Sequence, residues 1–163
     1  MNCEQTRTTF GMTVAEMHRE IWGRVVERIR EQGLHAKGID DGPTEESSIT
    51  KYKREAVCDM VKECKITAIE AAQLFGFSCC VLCVCNASCM DCPLYKATDM
   101  NCGSSYSPYL LLFNARADDP VAEAIRIRDV PLDPKYDEIL EKVLIRKAND
   151  VRQELMSTPR GEQ

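Results

Sequence analysis

The middle of the chain reads CCVLCVCNASCMDCPL from Cys79 to Leu94. Six of the ten cysteines lie in this stretch, and they include two Cys-x-x-Cys pairs, Cys80/Cys83 and Cys89/Cys92. Each pair can present two thiolates to one cation from a tight turn, and two such pairs complete a tetrahedral site. The stretch therefore predicts a metal site in the middle of the fold, with zinc as the favoured metal.

More cysteines are available than one zinc ion needs. Zinc favours four ligands, whereas five candidates lie close together in the sequence: Cys80, Cys83, Cys89, Cys92 and Cys102. Two ligand sets remain open, and both contain Cys80, Cys83 and Cys92. Cys102 or Cys89 then supplies the fourth ligand.

The remaining cysteines are expected to have other roles. Cys79 and Cys85 neighbour ligand positions and are predicted to be packing residues. Cys58 and Cys64 lie on or at the end of a predicted helix, where we expect them to behave as buried small apolar residues. Cys3 stands alone near the start of the chain and is expected to be an incidental free thiol.

Other cysteine chemistries are compatible with the same stretch. An iron–sulfur cluster also uses several close cysteines and a Cys-Pro ending, but the spacing here lacks the run of three short intervals typical of such sites. A redox-active dithiol is a further alternative, because a Cys-x-x-Cys pair can lower the pKa of one thiol. Disulfides are disfavoured if the compartment is reducing.

Composition and charge limit the class of protein. The chain has 163 residues and a formal net charge of −5, which disfavours a protein built mainly to hold nucleic acid. No apolar run approaches the roughly 20 residues of a membrane helix, and Met1 to Gly11 lacks the apolar core of a signal peptide. We therefore expect an intracellular, cytoplasmic protein.

Helix-start signals recur along the chain and predict an all-α fold. Capping boxes and N-cap residues followed by proline mark these starts: Thr13–Glu16, Ser47 or Ser48, Thr67–Glu70, Ser107-Pro108, Asp119-Pro120 and Asp133-Pro134. The pattern predicts about six helices around one core, in a single domain over residues 13–156. An irregular zinc knuckle at 79–102 would interrupt them, and residues 1–12 and 157–163 are expected to be disordered.

The first predicted helix carries one of the two histidines on its apolar face. This helix should end near Gln32, with Gly33 as its stop, and its apolar residues share one broad face. His18 points into that face, so we expect it to be a hydrogen-bonded core histidine rather than a zinc ligand. His35 follows in a loop rich in Gly, Asp, Glu and Ser and is expected to be solvated.

Residues 66–78 are similar to the first half of many helix-turn-helix motifs. A recognition helix with basic and polar residues should follow, because DNA reading needs side chains that reach base edges. Here the chain enters the cysteine cluster instead. Two packed helices are therefore favoured over a DNA-binding motif.

Catalytic motifs are missing from the sequence. It has no phosphate-binding loop, no Gly-x-Ser-x-Gly and no His-Glu-x-x-His, which are the short patterns that bring catalytic groups together. An all-cysteine zinc site is usually closed and leaves no position for substrate. We therefore expect that the protein is not an enzyme.

A set of scattered motifs resembles small uncharacterised proteins of bacteriophages and bacterial mobile elements. The resemblance consists of a Trp-containing N-terminal helix, two Cys pairs, a further cysteine and a later helix start: Met17 to Trp22, Cys80/Cys83, Cys89-Met90-Asp91-Cys92-Pro93-Leu94, Cys102 and Ser107-Pro108-Tyr109. It implies a phage-like origin and a zinc-binding role for the Cys pairs. The leading expectation is a zinc-stabilised accessory protein that binds a host macromolecule, with a host protein favoured over nucleic acid. A nucleic-acid-binding regulator and an iron–sulfur or thiol redox protein remain as alternatives.

Overall fold

The fold is helical throughout the part of the chain that can be described. The computed structural model describes residues 12–35, 46–75, 80–86, 89–100, 102–133 and 153–156, and these ranges contain helices and no strand. The all-α prediction is therefore confirmed for them. The helices in chain order are α1 (Val14–Gln32), α2 (Ser48–Lys62), α3 (Ala68–Phe75), α4 (Val81–Cys85), α5 (Pro93–Thr98), α6 (Pro108–Phe113) and α7 (Pro120–Arg128), with a 3₁₀ turn at Cys89–Asp91.

The predicted caps fix where these helices begin and end. At the start of α1 the Thr13 hydroxyl accepts a hydrogen bond from the Glu16 N–H at 3.1 Å, and the Glu16 carboxylate accepts one from the Thr13 N–H at 3.4 Å. Such a capping box satisfies two N–H groups that the helix leaves free. Gly33 ends the helix with φ 75°, a backbone angle that favours glycine. The first helix is thus confirmed at both ends.

The cysteine stretch was predicted to be an irregular knuckle, but it contains short helices. It contains α4, the 3₁₀ turn and α5, and Pro93 occupies the first position of α5, where the missing N–H of proline is tolerated. The helix predicted from Asp133-Pro134 lies mostly outside the described residues, of which 153–156 are helical. The predicted disordered ends, 1–11 and 157–163, also lie outside them.

Buried side chains form two clusters where the sequence pattern predicts one. The first core contains Met17, Ile21, Ala56, Val57, Met60, Ile66, Ala71, Leu74 and Val81. The second core contains Trp22, Val25, Val26, Ile29, Ile49, Tyr52, Leu82, Leu94, Leu112, Ala124, Ile127 and Val130. Both α1 and α2 line both cores, so the two longest described helices hold the clusters side by side.

His18 joins α1 to α7 inside the protein. Its side chain is 1% exposed, and its Nε2 donates a hydrogen bond to the Ile127 carbonyl oxygen at 2.7 Å. Burial lowers the pKa of His18 to about 4, because a charged imidazolium is poorly solvated there. The prediction of a hydrogen-bonded core histidine is confirmed. His35 is exposed, as predicted.

Ion pairs link α1 and α2 at the surface beside the cores. Arg28 on α1 reaches Glu55 at 3.1 Å and Asp59 at 2.7 Å, both on α2. Arg24 pairs with Glu20 and with Glu63. These partly exposed pairs contribute little stability each, and those of Arg28 connect α1 to α2. None of the described helices has the length and apolar character required to span a membrane.

Candidate metal centre

The first Cys-x-x-Cys pair lies at the start of α4. Cys80 is the N-cap residue, and its carbonyl oxygen accepts a hydrogen bond from the Cys83 N–H at 3.2 Å, which closes the first turn. The neighbouring residues Val81 and Leu82 are buried, one in each core. This burial orients the turn, so that Cys80 is partly buried against the second core while Cys83 is exposed.

Cys92 and Cys102 are supplied by two later elements. Cys92 is the N-cap residue of α5, and Leu94 on that helix is buried in the second core. Cys102 lies in the turn before α6, where its carbonyl oxygen accepts a hydrogen bond from the Ser107 hydroxyl at 3.1 Å. The same hydroxyl caps α6 by accepting from the Leu110 N–H at 3.1 Å. Cys102 is therefore held in place from the start of α6.

The pKa of Cys83 responds to three other cysteines. The Cys83 thiol donates a hydrogen bond to Cys80, and this bond, burial and the charges of Cys80, Cys102 and Cys92 raise the pKa of Cys83 well above its ordinary range. The Cys80 and Cys83 side chains are thus in contact, and the ligand sets that add Cys92 and either Cys102 or Cys89 stay predictions.

The Cys80 thiol ionises more readily than an ordinary cysteine. Its hydrogen bond from Cys83, aided by the positive charge of Lys53, lowers the pKa of Cys80 to about 6 from an ordinary value of 9.0. Cys80 and Cys83 are both free thiols. Thiolates are the form that binds metal, so the group has suitable chemistry for a soft divalent cation.

The positions of these cysteines differ from the geometry of a metal-binding site. Among the residues that the structure describes, no three His, Cys, Asp or Glu side chains already stand in a geometry that could hold a metal ion. The Cys89 backbone lies in the 3₁₀ turn, but its side chain is outside the described part, as are the side chains of Cys79 and Cys85. The choice between Cys89 and Cys102 therefore stays a prediction.

Two cysteines away from the centre differ from expectation. The prediction that Cys58 and Cys64 are buried is wrong, because both are only partly buried. Cys58 is a free thiol. Cys64 is disulfide-bonded and lies just beyond the end of α2 with φ 60°. It therefore offers no thiolate for a metal.

A buried lysine on α2 was missed by the sequence analysis. Lys53 on α2 is 2% exposed, and its ammonium donates a hydrogen bond to the Tyr109 hydroxyl at 3.2 Å. The available signal was its position on the helix. Lys53 lies four residues after Ile49 and three before Ala56, on the stripe of α2 that faces the cores. A lysine at an apolar position of the helical pattern indicates a buried charge.

The described residues that follow the helix-turn-helix-like segment do not form a recognition helix. The next helix after α3 is α4, with the sequence VLCVC. It has five residues and no basic or amide side chain, which are the groups that read base edges. This observation agrees with the expectation of packed helices.

Comparisons of the chain with family models, with curated proteins and with solved structures found no match. Residue roles therefore rest on the geometry of this chain. Over the described residues it is a helical protein, and its candidate site is the Cys80/Cys83 pair, with Cys80, Cys92 and Cys102 packed against the second core.

Proposed function

We propose that this protein is a non-enzymatic, zinc-stabilised helical protein that acts by binding another macromolecule. The observation that supports the zinc proposal is the Cys80/Cys83 pair in the first turn of α4, with Cys92 and Cys102 packed against the same second core as Cys80. Four thiolates are a donor set that structural zinc sites use.

The proposed zinc has a structural role because of what its ligands connect. Cys80 begins α4, Cys92 begins α5, and Cys102 is attached to the start of α6 through Ser107. These short helices form few hydrogen bonds of their own, and isolated helices of this length are unstable. Metal–ligand energy can hold such segments against the long helices α1 and α2.

Metal analysis of variants tests the zinc proposal. Protein purified without added metal should contain one zinc per chain, and Cys83→Ser should reduce that content sharply. Cys58→Ser is the matched control, because Cys58 is also a free thiol but lies on α2. Comparing Cys89→Ser with Cys102→Ser identifies the fourth ligand. Absence of both zinc and iron from the wild-type protein would refute the proposal.

The proposed partner is a host protein, and the chain is proposed to be phage-like and to act in the host cytoplasm. Support comes from the resemblance of its motifs to small phage proteins and from the net charge of −5, which is unfavourable for nucleic acid. A bacterial lysate passed over immobilised wild-type protein and over Cys83→Ser should yield a partner held only by the wild type. A mobility shift with DNA or RNA at low salt would favour a nucleic-acid-binding regulator instead.

A second candidate function is a thiol redox or iron–sulfur protein. The low pKa of Cys80 beside Cys83 favours the redox form, because a Cys-x-x-Cys pair with one ready thiolate is typical of dithiol chemistry. Purification without oxygen separates these cases. A brown protein containing iron indicates the cluster, and a colourless metal-free protein with a reversible Cys80–Cys83 disulfide indicates the dithiol.

A further inference from the structure

Cys64 is bonded to another cysteine through a disulfide, whereas Cys58 on α2 is a free thiol. Apart from Cys58, the cysteine nearest to Cys64 in the sequence is Cys79, which is 15 positions away. The disulfide therefore closes a loop of at least 15 residues. Closing a loop of this size restricts the unfolded chain and so stabilises the folded state.

Cys64 has an unfavourable backbone conformation in the α2–α3 junction, residues 63–67. Its N–H donates a hydrogen bond to the Val61 carbonyl oxygen at 3.1 Å, and the Lys65 N–H donates one to the Met60 carbonyl oxygen at 2.9 Å. In this turn Cys64 has a φ angle of 60°. Glycine is the usual residue at such a position, because a side chain disfavours the left-handed region. The local sequence therefore does not favour the turn, and the disulfide supplies a bond that holds it.

The α2–α3 junction connects two parts of the first core. Met60 before Cys64 is 0% exposed and Ile66 after it is 5% exposed, and both belong to the first core. Ala71 and Leu74 on α3 belong to the same core. The turn at Cys64 therefore determines how α3 packs against α2.

The surroundings of Cys64 are open to solvent. Cys64 is partly buried, and the adjoining residues Lys62, Glu63 and Lys65 are exposed. Thiol–disulfide exchange requires that a thiolate reach one of the two sulfur atoms. The exposed neighbours of Cys64 allow this contact in the folded protein, whereas a fully buried disulfide would exclude it.

We propose that the Cys64 disulfide is a redox-sensitive cross-link that stabilises the packing of the first core when oxidised and weakens it when reduced by a small thiol such as glutathione. A thiolate of the reductant attacks one sulfur, the S–S bond breaks, and the other cysteine leaves as a thiolate that takes up a proton. A second reductant thiolate then attacks the mixed disulfide, which releases the remaining cysteine and yields the disulfide of the reductant. Two electrons thus pass from the reductant to the protein. The proposal does not depend on the proposed zinc site, because its test measures the stability of the fold.

Thermal unfolding followed by circular dichroism, in oxidised and in reduced glutathione, tests the proposal. The Tm of the wild-type protein should be about 6–12 °C lower in reduced glutathione, which is the effect expected for a loop of this size in a chain of this length. Returning the protein to oxidised glutathione should restore the Tm. The matched control is Cys58→Ser, which removes a free thiol and should show the same difference. Cys64→Ser should have the lower Tm under both conditions.

Two results of the Tm measurement would overturn the proposal. One is a wild-type Tm that does not depend on glutathione, and the other is a dependence that persists in Cys64→Ser, because another pair of cysteines would then be responsible. If Cys64→Ser does not fold, alkylation of the wild-type protein followed by mass spectrometry decides the matter. Iodoacetamide should modify Cys64 in the folded protein only after treatment with reduced glutathione. Modification without the reductant, or none until the protein unfolds, would contradict the proposal.

Discussion

Acidification should destabilise this protein through His18. The imidazole is buried between α1 and α7, and burial lowers its pKa from 6.5 to about 4. Arg19 also disfavours the charged ring, while the Ile127 carbonyl and Asp129 favour it without outweighing burial. The folded state therefore binds this proton less readily than the unfolded chain. The stabilisation is fully present above pH 6.5 and is lost as the pH falls toward 4.

The magnitude follows from the two pKa values of His18. Each pH unit between them corresponds to about 1.36 kcal/mol, so full protonation costs roughly 3.4 kcal/mol of unfolding free energy. At about pH 4.5 the expected loss from this group is roughly 2.5 kcal/mol. A small domain has only about 5–15 kcal/mol in total, so the effect should be easy to measure.

Urea unfolding followed by circular dichroism measures this loss. The free energy of unfolding is determined at pH 7 and at about pH 4.5 for the wild type and for His18→Gln. Carboxyl groups titrate in both proteins. The wild-type loss of unfolding free energy on acidification, minus the loss in His18→Gln, therefore gives the contribution of His18. The matched control is His35→Gln, because His35 is exposed and this variant should lose as much as the wild type. An equal loss in His18→Gln and the wild type would refute the reasoning.

Two further variants test the contacts that hold the other elements. Ser107→Ala removes both the cap of α6 and the bond to the Cys102 carbonyl, so we expect a loss of about 1–2 kcal/mol by urea unfolding. Thr13→Ala at the exposed start of α1 serves as its comparison, and an equal or larger loss there would contradict the importance of the Cys102 bond. Arg28→Met removes two partly exposed ion pairs, so it should cost about 1 kcal/mol or less. That cost should shrink at high salt, whereas a loss independent of salt would show that packing dominates.

Local chemistry made the helix boundaries predictable. Thr13, Ser47, Ser107 and Asp119 each accept a hydrogen bond from a backbone N–H in the first turn of the helix that follows. Such bonds join residues three positions apart, so the sequence contains both partners. The same holds for Gly33, where a positive φ angle selects glycine.

Contacts between distant residues limited the prediction of the site. The Cys-x-x-Cys spacing placed Cys80 with Cys83, but where Cys102 lies relative to this pair depends on how α6 packs against the second core. Lys53 and Tyr109 are 56 positions apart, and only the packing of α2 on α6 brings them together. The division of the interior into two cores has the same origin, because helical periodicity identifies an apolar face without showing which neighbour covers it.

The shared lining of the two cores has a consequence for how the molecule opens. Met17 and Ile21 of α1 belong to the first core, whereas Trp22 and Val25 belong to the second. Opening either core would remove packing from one side of both long helices. A partly open state would therefore be much less stable than the folded state. The described helices should therefore open as one cooperative unit. Fluorescence of the single tryptophan would then follow the same unfolding curve as the helical signal of the whole chain.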